Sequence, residues 1–306
     1  MLERAIEVAE HGRATTHPNP VVGAVVARDD EIVGEGWHER KGGPHAEVVA
    51  LGAAGEAARG ATLYVTLEPC DHHGTTPPCV DAILAAGIAK VVVGVKDPTR
   101  DGIARLREAG VEVELVDLWE ARVQNEAWLT WARLGRPFVT YKAAVTLDGR
   151  VTVPGRRWVS GEESRRLVHE LRAASDAVAV GMGTVRADNP RLDARDVDVT
   201  HQPRRLAFGR GPLPAGSELE LLSGGLEEEL GRLAEQHVQS LLLESGPTLA
   251  AAFLEADLVD KLMLFVAPTI SGEGPGLFAW PPAVLTHQTA RRVGDDVLLT
   301  AYLHEP

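Results

Sequence analysis

The chain of 306 residues is 44% hydrophobic and 25% charged, ordinary for a globular protein and too apolar for a disordered one, and its length favours two domains. Its formal net charge is −13 and neither residues 1–117 nor the remainder carries a basic excess, which argues against partners such as nucleic acid or an anionic membrane. The start Met1-Leu2-Glu3-Arg4-Ala5-Ile6-Glu7 lacks the apolar core of a secretory signal and no run is long enough to span a bilayer, so a cytoplasmic protein acting on small molecules is expected.

Residues 3–12 read as a short amphipathic helix that stops at Gly12. Residues 21–27 and 31–37, on either side of Asp29-Asp30, read as a β-hairpin. Pro44 opens a helix over 45–58, closed by Gly60. A strand over 61–67, a helix over 79–86 ended by Gly87, a strand over 90–95, a helix over 102–109 and a strand over 111–116 follow. Strands alternating with helices predict a largely parallel, helix-covered sheet. Trp119, Val123, Ala127, Trp128, Trp131 and Leu134 recur at helical spacing up to Gly135-Arg136-Pro137, which predicts one connector helix whose tryptophans pack between two domains.

A second α/β pattern begins at Pro137, with strands over 138–145, 176–180, 205–208, 240–243, 261–266 and 297–303 and helices over 162–174, 226–236 and 247–256. The Pro- and Gly-rich stretch 188–225 is expected to hold the longest loops. The expected division is therefore a domain at 1–117, a connector at 118–136 and a domain at 137–306.

The only cysteines, Cys70 and Cys79, lie in one segment, and a reducing compartment argues against a disulfide between them. Pro44-His45-Ala46-Glu47 and Thr66-Leu67-Glu68-Pro69-Cys70, continuing to Pro77-Pro78-Cys79, offer one imidazole and two thiolates. That set suits Zn²⁺ and leaves the fourth tetrahedral position open, the pattern of catalysis rather than scaffolding. Glu47, two residues beyond His45 on the same helix, is placed to take a proton from water and return it to a leaving amine. His45 and Cys79 both stand where a helix begins, where free N–H groups and the positive dipole end favour thiolate. H-x-E followed by P-C is the pattern of zinc nucleobase deaminases, here with the second spacing widened to C-x₈-C. A structural zinc site would need a fourth ligand, for which His72 and His73 are the local candidates; otherwise they are either loop or substrate contacts or simply solvent-exposed residues.

These segments, together with Thr16-His17-Pro18-Asn19-Pro20-Val21-Val22-Gly23, His72-His73-Gly74 and Thr76-Pro77-Pro78-Cys79, resemble the deaminase half of the bifunctional deaminase-reductase family of riboflavin biosynthesis. The resemblance implies a cytidine-deaminase-like three-layer α/β domain in which His45, Cys70 and Cys79 bind zinc, Glu47 shuttles the proton and Asn19 touches the sugar, with His72 as a further candidate substrate contact. It continues through Lys142-Ala143-Ala144-Val145-Thr146-Leu147-Asp148-Gly149-Arg150, Trp158, Ser160, Arg172, Thr184-Val185-Arg186-Ala187-Asp188-Asn189-Pro190-Arg191-Leu192 and Glu244-Ser245-Gly246-Pro247-Thr248-Leu249, nearly the whole chain. There it implies a dihydrofolate-reductase-like, NADPH-dependent α/β reductase, with Ala144, Trp158, Thr184, Asp188, Gly246, Pro247 and Thr248 toward the cofactor. Arg172, Leu192, Arg195 and Glu244 are then directed toward a phosphorylated pyrimidine substrate.

Two strands in this half end in glycine and feed a helix, at Gly181-Met182-Gly183-Thr184 and at Glu244-Ser245-Gly246-Pro247-Thr248. Glycine permits close backbone approach and helix starts attract phosphate, which suits a dinucleotide pyrophosphate, although neither is a G-x-G-x-x-G fingerprint. Arg172 and Arg195 suit a substrate phosphate, and Lys142 and Asp148 flank the expected cleft. The stretch 150–157 is shorter than in the family, and Gly209-Arg210 stands where the family carries Asp, which makes Arg210 the substitute contact for the NADPH 2′-phosphate.

The implied chemistry is deamination of 2,5-diamino-6-(5-phosphoribosylamino)pyrimidin-4-one, then reduction of the ribosyl side chain of 5-amino-6-(5-phosphoribosylamino)uracil to ribityl, in a homo-oligomer. Two rivals stand beside it: a nucleoside or tRNA deaminase with an unrelated extra domain, and a zinc-stabilised binding module.

Overall fold

The structure, a computed structural model, describes residues 1–74, 77–277 and 282–306; Thr76 of the matched loop lies outside the described residues. The chain divides into two compact units, Met1–Leu134 with Pro306, and Gly135–Glu305.

The first unit runs α1 (Leu2–Ala9), β1 (Gly23–Arg28), β2 (Glu31–Trp37), α2 (Ala46–Ala54), β3 (Thr62–Leu67), α3 (Cys79–Ala86), β4 (Lys90–Val95), α4 (Gly102–Glu108), β5 (Glu112–Leu115), α5 (Trp119–Gln124) and α6 (Glu126–Leu134). Its sheet has the order β2-β1-β3-β4-β5. The pairs joined by helices, β3 with β4 and β4 with β5, are parallel, whereas β1 is antiparallel to both β2 and β3. The sheet is thus mixed rather than largely parallel, because the hairpin enters it with its own turn geometry.

Strand residues alternate between two helical layers. Ala24, Val26, Leu63, Val65, Val91 and Val93 pack with Ala46 and Ala50 of α2, Val80 and Ile83 of α3 and Leu106 of α4. At the ends of β3 and β4, Leu67 and Val95 pack with Ala121 and Leu129, with Trp128 against them. Burial on both faces explains why β4 reads as a continuous apolar run, and each fully buried Leu or Ile adds about 1.5–3 kcal/mol. The stretch expected to be one connector helix is two helices broken at Asn125, and both belong to the first unit.

The second unit runs β6 (Phe138–Thr146), α7 (Glu162–Ala173), β7 (Ala177–Gly181), α8 (Met182–Asp188), β8 (Arg204–Phe208), β9 (Glu220–Leu222), α9 (Leu226–Glu235), β10 (Ser240–Leu243), α10 (Pro247–Glu255), β11 (Lys261–Ala267), β12 (Thr286–Val293) and β13 (Asp296–Tyr302). The sheet order is β12-β13-β11-β6-β10-β7-β8-β9. From β11 to β9 every pair is parallel, while β13 and β12 are antiparallel additions at one edge. All parallel strands therefore end on one edge of the sheet, the edge at which open α/β sheets take their ligands. Tyr141, Leu206, Leu241, Leu243, Phe253 and Leu264 are among the core residues. Sequence periodicity finds neither β9, three residues inside the Pro- and Gly-rich stretch, nor β12, an outer strand with mostly exposed side chains.

Candidate active sites

In the first unit, the ends of three elements meet. His45 is the N-cap of α2, Cys79 is the first residue of α3 behind Pro78, and Cys70 lies in the turn after β3. Imidazole Nδ1 of His45 lies 3.1 Å from Cys79 Sγ and 3.5 Å from Cys70 Sγ, and all three donor atoms lie within 4.8 Å of one another. Tetrahedral zinc with its usual bond lengths spaces nitrogen and sulfur donors about 3.6 Å apart, so this nitrogen-and-two-sulfur set fits that ion. The backbone N–H of Cys79 donates to Cys70 Sγ at 3.2 Å, which realises the helix-start stabilisation of a thiolate. The Cys79 thiol and the His45 imidazole bring Cys70 down to about 4, while the bond to Cys70, then burial, pushes the Cys79 thiol up.

Glu47, in the first turn of α2, is only 3% exposed. Burial pushes its carboxyl above the ordinary range, in the direction a proton carrier at neutral pH requires. The turn carrying Cys70 is fixed by its neighbour Glu68, whose carboxylate accepts from the N–H groups of Ile103 at 2.8 Å and Asp97 at 3.2 Å. The first residue of α4 approaches the same turn so closely that a Cβ on Gly102 would lie 1.9 Å from the Pro69 carbonyl oxygen.

His38 adds a residue to which sequence reasoning assigned no role. It is buried, its Nδ1 lies 3.0 Å from the Pro44 carbonyl oxygen and its Nε2 lies 3.1 Å from Asn19 Nδ2. The carbonyl can only accept, so Nδ1 carries the proton and Nε2 accepts from the Asn19 amide. Burial lowers the His38 pKa, which keeps the ring neutral, and the ring stands edge-on to His45 at 5.3 Å between centroids. Asn19 is therefore brought to the metal-ligand cluster through His38. His72 is exposed in the loop, 3.8 Å from Asp71. No sequence signal distinguished His38; its role emerges only when the end of β2 meets the loop before α2.

In the second unit, Glu244 follows β10 and its carboxylate receives Arg172 of α7 in two bonds, 2.5 and 3.0 Å, with Lys142 of β6 at 3.5 Å. Burial raises the Glu244 carboxyl, but the charges of Lys142 and Arg172 more than offset it and hold the group below its ordinary value. Arg172 also donates to the Asp193 carbonyl at 3.1 Å, and the Asp193 carboxylate receives Arg195 at 2.7 Å and Arg191 at 2.8 Å. Arg172, Arg195 and Glu244 thus share one network, with the Arg172 guanidinium engaged by Glu244. The Leu192 side chain sits in the core beside Val185 and Leu219, and the residue as a whole is buried, with its backbone at φ +55°.

The two glycine turns lie side by side. Gly246 is the N-cap of α10 with Pro247 and Thr248 following, and a Cβ on Gly246 would meet only Thr184 Oγ1, at 4.0 Å. Beside it Ser245 Oγ is buried without a hydrogen-bond partner, the kind of group that a bound polar ligand satisfies. An open glycine cradle, a helix start and an orphaned hydroxyl fit a dinucleotide at this edge. Ala144 is on β6, Asp188 closes α8, and Trp158 is half exposed with Arg157 and Arg165 over its ring at 5.0 and 5.6 Å. The Arg210 carbonyl accepts from Arg186 at 2.6 Å, which brings a second guanidinium to the end of β8.

A deaminase-type zinc site on a three-layer α/β unit and a nucleotide cradle on a second α/β unit define a two-domain enzyme, a zinc-dependent deaminase joined to a reductase. Residues 1–95 match the cytidine and deoxycytidylate deaminase zinc-binding region, and residues 137–299 match the RibD C-terminal domain. The chain is 41% identical to the riboflavin biosynthesis protein RibD of Aquifex aeolicus (strain VF5), over 89% of this chain and 87% of that protein. It is similar to the structure of Acinetobacter baumannii RibD, with TM-score 0.85 and 34% identity over 98% of this chain and 97% of that one. Similar too is the diaminohydroxyphosphoribosylaminopyrimidine deaminase/5-amino-6-(5-phosphoribosylamino)uracil reductase of Thermotoga maritima, with TM-score 0.83 and 34% identity over 99% and 97% of the two chains.

The chain belongs to the RibD family of bifunctional deaminase-reductases in riboflavin biosynthesis. Its cofactors are zinc in the deaminase domain and NADPH in the reductase domain. A deaminase with an unrelated extra domain is not favoured, because the second half is itself the RibD C-terminal domain. Among the described residues no helix is long and apolar enough to cross a membrane.

Proposed function

We propose that the first unit hydrolyses the exocyclic amine of 2,5-diamino-6-(5-phosphoribosylamino)pyrimidin-4-one and that the second reduces the ribosyl side chain of the product, 5-amino-6-(5-phosphoribosylamino)uracil, to ribityl. The observation that carries this reading is the His45, Cys70 and Cys79 cluster with the buried Glu47 carboxyl beside it. When bound, zinc supplies a Lewis acid that activates water for attack on the amidine carbon. Glu47 removes a proton from the attacking water and delivers it to the leaving nitrogen, so that the C–N bond breaks and ammonia departs. His38 fixes the amide of Asn19, whose Oδ1 then accepts from a ribose hydroxyl, and His72 meets the substrate from the loop.

In the second unit NADPH, when bound, supplies the hydride. The turns at Thr184 and at Gly246, Pro247 and Thr248 hold the pyrophosphate, with Ala144, Trp158 and Asp188 along the rest of the cofactor and Arg210 at its 2′-phosphate. Glu244, Arg172, Leu192 and Arg195 orient the phosphorylated substrate, a task in which position counts for more than acid-base strength. The functional division we propose is a deaminase at 1–117, a connector at 118–136 whose two helices fold with the first unit, and a reductase at 137–306. A homo-oligomer and a cytoplasmic location complete the reading. Light scattering tests the assembly, and a monomer mass overturns it.

The decisive experiment incubates the zinc-loaded protein with the diaminopyrimidine substrate, with and without NADPH. Ammonia release without NADPH, and NADPH oxidation only after deamination, is the expected result. NADPH oxidation that precedes ammonia release reverses the proposed order, and no ammonia release at all removes the deaminase assignment.

A further inference from the structure

We propose that Asn125 is a positioning residue for deamination: it fixes the loop that presents Asn19, and through Asn19 it sets the ring of His38. The inference rests on the deaminase reading above and adds a residue outside the metal cluster.

Asn125 stands at the break between α5 and α6 and is 3% exposed. Its Oδ1 accepts the Val21 N–H at 2.9 Å and its Nδ2 donates to the Val21 carbonyl at 2.8 Å. This reciprocal pair satisfies both backbone groups of a residue that stands two positions before β1 and has no strand partner of its own. Only a carboxamide supplies a donor and an acceptor side by side for such a pairing. The Asn125 carbonyl meanwhile accepts the Leu129 N–H at 2.8 Å, so the break that frees the side chain also starts α6. The adjacent Gln124 amide donates to the Ile6 carbonyl at 2.9 Å and to Glu10 at 2.6 Å, which fixes the break against α1.

From Val21 the path to the site is short. Asn19 lies two residues back in a turn closed by its own N–H to the Thr16 carbonyl at 2.8 Å, and the Val22 carbonyl accepts the His38 N–H at 2.9 Å. Asn19 Nδ2 then reaches His38 Nε2 at 3.1 Å, and His38 Nδ1 reaches the Pro44 carbonyl at 3.0 Å, one residue before His45. Each link is a short bond between backbone groups, a carboxamide or the His38 imidazole, so losing the Val21 anchor displaces Asn19 rather than merely loosening a surface loop. A displacement of about 1 Å at a substrate contact costs on the order of 100-fold in rate.

The test is a double-mutant cycle in the full-length, zinc-loaded protein with N125A, N19A and N125A/N19A, reading deamination kcat and KM, zinc content and reduction of the deaminated intermediate. In N125A, deamination kcat/KM should fall roughly 10- to 100-fold, with zinc at the wild-type level and reduction unchanged. If Asn125 acts through Asn19, the double variant is no worse than N19A. N125D, which keeps the acceptor for Val21 N–H and loses the donor, should fall between wild type and N125A and carries the test if N125A folds poorly. Unchanged deamination in both Asn125 variants, a double variant whose losses multiply, or parallel loss of zinc and reduction in N125D would each overturn the proposal. Failure of the wild-type protein to release ammonia would instead sink the deaminase reading.

Discussion

The two sites are built in opposite ways. In the first unit the three metal donors and Glu47 come from residues 45–79, with His45 and Cys79 at helix starts and Cys70 in one turn, and each is a residue type that few others can replace. In the second, Lys142, Arg172 and Glu244 come from three separate parts of the chain and Asp193 and Arg195 from one loop, and the charges offset one another, Glu244 taking Lys142 and Arg172 and Asp193 taking Arg195. Metal ligation depends on donor identity, whereas hydride transfer depends on placement and exclusion of water, which many side chains can share. The first site is therefore expected to fail all at once on a single substitution, and the second by degrees.

The sharpest way to break that contrast is Glu47→Gln. Deamination should fall by roughly 1,000-fold or more, at the upper end of what a positioned acid-base group contributes. Zinc content and NADPH oxidation with the deaminated intermediate should stay at wild-type levels. Retained ammonia release would remove Glu47 from the chemistry, and parallel loss of both activities would show that the two sites do not fail separately.

A smaller effect is expected from Glu244→Gln, which leaves Arg172 and Lys142 facing a neutral amide. Removing one partner of a buried ion pair costs about 3–5 kcal/mol, and the Glu244 and Arg172 side chains are only 9% and 13% exposed. Reduction kcat/KM should fall about 100-fold through the misplaced guanidinium, with deamination intact. A fall of only a few-fold would mean that Arg172 keeps its place through the Asp193 carbonyl alone.

Acid should separate the two units more gently. Burial raises the Asp260 carboxyl, but the bonds from Arg136 and His304, with the Arg136 charge, hold it below its ordinary value, as Lys142 and Arg172 do for Glu244. For carboxyls depressed in the folded state the stabilisation is complete above the unfolded values, about 4. It is lost as pH falls through the lower folded values, because the unfolded chain binds the protons first. The melting temperature of the second unit should therefore hold steady from neutral pH to about 5 and decline below about 4. Calorimetry of wild type and Asp260→Asn checks it: the variant should be less stable at pH 7 and lose less on further acidification.

The same contrast explains what could be read from the sequence. The strands of β3 and β4, the helix starts at Pro44 and Pro78 and the metal donors are local features, set by β-branched runs, helix punctuation and residue type. The break at Asn125 is hidden because Trp119, Val123 and Ala127 keep helical spacing across it, and what holds the Asn125 side chain out of the helix is a distant partner, Val21. β12 was hidden because an outer strand can be polar. His38 and Glu68 act through backbone groups brought up by other elements, and nothing in their neighbouring residues announces such partners. The Arg172 pairing with Glu244 spans 72 residues and exists only once β10 lies against β6 and β7.

The smallest expected effect tests the graded character of the second site most directly. Asp148 follows β6 and gathers three donors, Thr146 Oγ1 at 2.6 Å, Ser271 N–H at 3.0 Å and Gly272 N–H at 2.9 Å. Those bonds, the threonine hydroxyl first, hold its carboxyl well below the usual carboxylate range. They tie the loop after β11 to the end of β6, on the same sheet edge as the glycine turns. In Asp148→Asn one oxygen still accepts from Thr146 and Ser271, while the new NH₂ meets the Gly272 N–H, so one bond of three is lost at a largely exposed position. The expected result is a rise of a few-fold in KM for NADPH at unchanged kcat, read by initial rates and by fluorescence titration of the cofactor. A kcat loss approaching that of Glu244→Gln would make the Asp148 tether part of the hydride-transfer geometry itself, and the second site would then be as intolerant of single changes as the zinc cluster.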